Sequence, residues 1–116
     1  IFVPTEFELW SFDIEKTGSK IECDPFFPEK ANVEFVKKTG ENAFEMRVWE
    51  RGSGETFACG TGACATVAAA CRNGLCGMNT DVRVKLRGGE LTINYGEDGI
   101  KMTGEAKTAF RGTVEI

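Results

Sequence analysis

The segment Glu50-Arg51-Gly52-Ser53-Gly54-Glu55-Thr56-Phe57-Ala58-Cys59-Gly60-Thr61-Gly62-Ala63-Cys64-Ala65 concentrates the residue types that do chemistry. A charged pair is followed by a glycine-rich turn, a cysteine and a run of small helix formers. That order predicts a thiol at the start of a helix, beside backbone N–H groups that the first turn leaves without partners. The positive end of a helix favours a thiolate and attracts a carboxylate. The chemistry expected is proton transfer on a small anionic substrate.

What the chain lacks narrows the role of Cys59. Cysteine hydrolases and amidotransferases pair the thiol with histidine, and this sequence has no histidine. A cysteine phosphatase needs an arginine six residues after the nucleophile, where this chain has Ala65. Gly60-Thr61-Gly62 is no phosphate loop, because no Gly-Lys-Ser/Thr follows it. A thiolate as general base, or a thiol as general acid, remains. The ordinary thiol pKa of about 8.5 is near enough to neutrality for a modest shift to poise it. The amides of Gly60 and Thr61 suit a carboxylate. Arg51 suits a second carboxylate as a bidentate clamp, and Glu50 suits an ammonium group. A solvated strand end accounts for Glu50 and Arg51 equally well on local grounds. A free cysteine is also commonly just a small buried hydrophobe. Cys64 and Cys71 fit that description on an apolar helix, and Cys23 and Cys76 have no assigned role.

The composition bounds the rest. A chain of 116 residues makes one domain, and 41% hydrophobic residues with nine phenylalanines supply its core. Net charge is −4 with no basic stripe, which argues against nucleic acid. No apolar run approaches the roughly 18 residues of a membrane helix. Five cysteines without a C-x-x-C pair or a histidine fit neither a disulfide framework nor a structural zinc site. Free thiols in a reducing cytoplasm, with no cofactor or metal, are the expectation. The start at Ile1, without an initiator methionine, reads as a fragment or a processed chain.

The positioning elements follow from pattern. Residues 1 to 30 look irregular, with a short helix around Asp13 to Lys20. Asp24-Pro25-Phe26-Phe27-Pro28 is a turn. Asn32 to Lys38 reads as a strand. Phe44, Met46 and Val48 alternate with Glu45, Arg47 and Trp49, predicting a strand with one buried face that ends at Glu50 and Arg51. A helix is expected from about Gly60 to Asn73, with Arg72 in its last turn and Gly74 as its cap. Its small and apolar residues cover every side, which predicts burial on every side. Alternating strands follow at Val82 to Leu86, Leu91 to Tyr95 and Ile100 to Met102, joined by turns at Gly88-Gly89 and Gly96 to Gly99. Ala106 to Glu115 reads as one more strand. The expected fold is α+β: a mostly antiparallel, barrel-like sheet wrapped around one central buried helix, in a single domain over residues 1–116.

The sixteen-residue segment closely resembles the second cysteine motif of the diaminopimelate epimerase family. The resemblance extends to Phe27-Pro28-Glu29-Lys30-Ala31-Asn32-Val33-Glu34-Phe35-Val36, to Arg47-Val48-Trp49, to Leu86-Arg87-Gly88-Gly89-Glu90-Leu91 and to Met102-Thr103-Gly104-Glu105-Ala106. It implies a cofactor-independent reaction in which one cysteine removes the α-proton of an amino acid and a second delivers a proton to the opposite face. LL- and meso-diaminopimelate would interconvert, feeding lysine and peptidoglycan synthesis. The resemblance makes Cys59 one of the two proton-transfer residues and counts Glu50 with it at the catalytic centre. It assigns Gly60 and Thr61 to the substrate carboxylate, and Asn32, Glu50 and Arg51 to substrate contacts that include its distal end. It also implies two such domains facing across a cleft, of which this chain resembles the C-terminal one.

The N-terminal half of the family, with the other cysteine, is then the expected partner. Alone, the chain is expected to be inactive and to form a homo-oligomer through the face that should meet that half. Two other readings are a related isomerase, proline racemase-like or phenazine-biosynthesis isomerase-like, and a non-enzymatic domain that binds a small molecule or a protein.

Overall fold

In the computed structural model, which describes residues 1–116, two layers lie on opposite faces of one sheet. The first begins at Asp13, whose carboxylate accepts the Lys16 N–H at 3.0 Å and starts helix α1 (Ile14–Glu22). Leu9 and Ile14 bury against Val33 and Phe35 of strand β2 (Val33–Gly40), with Phe7, Phe12 and Trp49 around them. Gly18 permits the close approach of α1, since a Cβ there would fall 2.6 Å from Trp49. The chain start, β1 (Phe2–Val3), pairs in parallel with β2.

Strand β2 returns antiparallel as β3 (Ala43–Glu50), and a tight turn brings β4 (Gly54–Thr56) back along the end of β3. Gly52 and Gly54 adopt φ of +74° and +78° in that turn, a region open to glycine at little cost. Helix α2 (Gly60–Arg72) then crosses over, so that β5 (Asp81–Leu86) lies parallel to β3. Strands β6 (Gly89–Gly96) and β7 (Gly99–Gly104) complete an antiparallel meander. The sheet is mixed, in the order β1-β2-β3-β5-β6-β7, with β4 beside β3; no pairing joins β1 to β7.

The larger core lies under α2. Ala63, Val67 and Ala70 face Val36, Phe44, Met46, Val48, Val82, Val84, Leu86 and Ile93. The helix ends as its sequence predicts. Gly74 takes φ of +69°, and the Leu75 and Gly74 N–H groups bond to Ala70 O at 2.9 Å and Cys71 O at 3.1 Å.

Four expectations need correction. Helix α2 is buried along one stripe only, while Thr61, Ala65 and Arg72 are exposed, because this chain supplies a sheet on one side of it. The second face of β3 is not solvated: Arg47 is buried under residues 9–12. The turn after β5 is Arg87-Gly88, with Leu86 paired to Gly89. Ala106 to Glu115 forms no strand; Phe110 and Val114 are exposed, and no sheet face is offered to them. No helix is long and apolar enough to cross a membrane.

Candidate active site

Cys59 is the N-cap of α2. Its backbone is extended, with φ of −143° and ψ of 100°, and its Sγ accepts the Gly62 N–H at 3.3 Å. Thr61 Oγ1 lies 3.5 Å from the same sulfur. The side chain is buried, yet it meets the helix where donors are in surplus. The Gly60 and Thr61 N–H groups have no acceptor within the chain. Two contacts fix the approach to the helix: the Gly88 N–H donates to Phe57 O at 2.7 Å, and Met102 covers Gly60 so closely that a Cβ there would fall 2.9 Å from its sulfur.

The charged pair at the end of β3 is tied to the same region. Asn32 Oδ1 accepts the Arg51 N–H at 2.8 Å, and the Arg51 guanidinium donates to Glu29 O at 3.0 Å. The Glu50 carboxylate accepts a hydrogen bond from the Thr56 hydroxyl, which also lies 3.4 Å from Ala58 O. Glu50 is therefore linked through Thr56 to the residue before Cys59. The structure thus gathers the predicted residues into two groups, Asn32–Glu50–Arg51 and Cys59–Gly60–Thr61, with Thr56 and Ala58 between them. A groove of about 650 Å³ is lined by Ala58, by the β5–β6 turn with its flanking residues, and by the end of β7 and the residues after it; none of those six residues lines it.

Several polar residues that support the site were not singled out from sequence. Glu22 accepts the Trp49 indole N–H at 2.8 Å and the Gly52 N–H at 2.9 Å, pinning the turn after Arg51. The indole bond, and then the Gly52 N–H, hold its carboxyl below the ordinary value. Arg47 makes a two-pronged pair with Glu55 at 2.8 and 3.0 Å and donates to Leu9 O and Phe12 O, both at 2.9 Å. Its guanidinium also stacks over Phe12, 5.0 Å from the ring centre. Arg87 reaches Glu55 at 3.2 Å and joins the β5–β6 turn to β4.

Glu34 is another. A Cβ on Gly62 would fall 2.7 Å from Glu34 Oε1 and 3.1 Å from Cys59 Sγ, so carboxyl and thiol flank the same glycine. Burial pushes the Glu34 carboxyl up and the Glu50 charge adds to this, against its own backbone N–H and the Ile1 ammonium. The signal in the sequence was a carboxylate sharing a strand face with Val36, two residues after Asn32. Burial also raises the Cys64 thiol, with a smaller push from Cys59. No group of three histidine, cysteine or acidic side chains is placed to hold a metal ion.

A helix laid on a mixed sheet, with a thiol capping its N-terminus and a charged pair tethered beside it, defines a class of cysteine-bearing α+β domains. Within that class the family model described as diaminopimelate epimerase matches residues 2–109, and the chain belongs to that family. It is similar to the diaminopimelate epimerase of Leptospira biflexa, 51% identical over 90% of this chain and 37% of the relative. The Bacillus subtilis diaminopimelate epimerase is 52% identical over 82% of this chain and 34% of its own length. The chain thus spans a little over a third of the curated relatives it matches. Among solved structures, a Bacillus anthracis phenazine biosynthesis protein of the PhzF family superposes with a TM-score of 0.58 at 25% identity, over 78% of this chain and 30% of that one.

Proposed function

We propose that this chain supplies one side of a two-thiol site that interconverts LL- and meso-diaminopimelate. In this reading the Cys59 thiolate takes the α-hydrogen as a proton from one face of the substrate. The electron pair left on the α-carbon delocalises into the carboxylate, held by the Gly60 and Thr61 N–H groups. A second thiol, from the part of the family's length that this chain does not cover, delivers a proton to the other face; the reverse direction exchanges the two roles. Asn32, Glu50 and Arg51 hold the polar groups of the substrate, with Glu50 closest in the chain of contacts to Cys59. No cofactor enters these steps.

The observation that carries the reading is the Cys59 sulfur at the α2 N-cap, accepting the Gly62 N–H at 3.3 Å. The partner is the complementary half of a diaminopimelate epimerase, and the setting is the cytoplasm. With that half present, we expect the barrel-like arrangement in which α2 is enclosed. Without it, the exposed face should self-associate.

The test joins this chain to the remaining part of the Leptospira biflexa relative and follows epimerisation. Cys59→Ser should lower the rate by about 10²–10⁴-fold, the range for losing a positioned acid–base group. Undiminished epimerisation would refute the role. The PhzF-family likeness supports a second reading, a related isomerase acting on another substrate. The Glu50-Arg51 pair favours diaminopimelate, whose second charged end needs a clamp. Substrate profiling of the joined protein separates the two.

A further inference from the structure

Cys71 lies in the last turn of α2 and Cys76 lies just beyond the Gly74 cap, with their sulfurs 3.3 Å apart. Both thiols are free and half-buried. They sit at the opposite end of a 13-residue helix from Cys59, roughly 18 Å away at 1.5 Å per residue, so the proposed epimerase chemistry does not use them. The Cys71 thiol donates to Gly77 O at 3.3 Å, which leaves its sulfur to accept from the Cys76 thiol. Burial, and then that hydrogen bond, push the Cys76 thiol up to about 12. The backbone cap between them already holds the pair together. Closing a disulfide brings the sulfurs to roughly 2.05 Å, with the Cβ atoms about 3.8 Å apart.

We infer that Cys71 and Cys76 form a dithiol modification site that closes to an intrachain disulfide by exchange with a small-molecule disulfide. Cys71, relieved of its proton to solvent, attacks one sulfur of RSSR. The S–S bond of RSSR breaks, a Cys71–SR bond forms, and RS⁻ leaves to be protonated as RSH. Cys76 then loses its proton to solvent and attacks the Cys71 sulfur, releasing the second RS⁻. Two protein thiols are oxidised and one RSSR is reduced to two RSH. Cys71 attacks first because its sulfur, as a thiolate, keeps the Cys76 S–H as a hydrogen-bond donor.

The test incubates the chain with oxidised glutathione, alkylates the remaining thiols in denaturant and maps the products by mass. The five alkylatable thiols should fall to three. Trypsin cuts after Arg72, between the two cysteines, so the bridge should appear as two peptides linked through Cys71 and Cys76. Cys71→Ser and Cys76→Ser should each abolish that linked species and leave at most a glutathione adduct on the surviving thiol. Five thiols still alkylatable, glutathione adducts without a bridge in the unsubstituted chain, or a bridge mapped to another pair would each overturn the inference.

Discussion

Gly62 is where thiol, carboxylate and helix start meet, and it has no room for a side chain. A Cβ there would sit 2.7 Å from Glu34 Oε1 and 3.1 Å from Cys59 Sγ. Gly62→Ala should therefore destabilise the fold by about 1–3 kcal/mol, the usual cost of overpacking, read from denaturant midpoints. In the protein joined to its complementary half, it should also slow epimerisation by displacing the sulfur. Two carboxyls give opposite pH signatures. Glu22 is held below its ordinary value of 4.5, so its contribution is complete above that value and is lost as pH falls through the lower folded value. Glu22→Gln should destabilise the chain at pH 7, with the difference closing in acid. Glu34 is raised, so its ionisation costs stability as pH rises through its folded value. Glu34→Gln should be the more stable protein at pH 7 and lose that advantage in acid. Urea midpoints for the three proteins at acid and neutral pH test both signs. The positions of Cys59 at a helix start and of Glu50 and Arg51 at a strand end were legible because the signals for them lie in one short segment. Glu22 and Arg47 were not, because they act on partners far along the chain: Glu22 on Trp49 and Gly52, 27 and 30 residues away, and Arg47 on Leu9, 38 residues away.

Elements that are locally complete could be read, and those that depend on a neighbour could not. Helix α2 carries its own start and stop, the Cys59 cap and the Gly74 turn, and both lie where the sequence puts them. The β5–β6 and β6–β7 hairpins likewise follow from alternation and glycine turns. Alternation along β3 distinguished its two faces but could not say that residues 9–12 would cover the second. That covering makes Arg47 a buried cation with two carboxylate bonds and two carbonyl bonds. Arg47→Ala would leave Glu55 to Arg87 alone, deprive the Leu9 and Phe12 carbonyls of their donor and empty the space over Phe12, at a cost of about 3 kcal/mol, the low end for breaking a buried pair. Arg47→Met, which keeps the stem packing, should cost less; equal losses by thermal unfolding would show that charge pairing alone matters there. Ala106 to Glu115 has a strand's alternation, but a strand exists only against a partner. Ile100 and Met102 on β7 are left exposed beside it, so the apolar pattern continues past the edge of this chain's own core.

The molecule as a whole is a well-formed sheet and helix with an uncovered side. One face of α2, the β7 edge and the apolar residues of the last segment lie open, in a chain that spans little more than a third of its relatives. Exposed apolar surface and an open edge favour association. Sedimentation should find a dimer or larger species, and a strictly monomeric chain at high concentration would contradict the proposed interface. The proposed two-sided reaction sets the sharper demand, since groups on opposite faces of one carbon cannot both come from the start of one helix. Cys64 follows Cys59 by only five residues on α2, and Cys71 and Cys76 lie at its far end. The decisive measurement is α-hydrogen exchange of diaminopimelate in D₂O, catalysed by this chain alone and by the chain joined to the complementary part of a relative. Exchange with inversion is predicted only for the joined protein, and should be lost on Cys59→Ser. Turnover by the 116-residue chain alone, at the rate of an intact relative, would contradict a site shared between two halves.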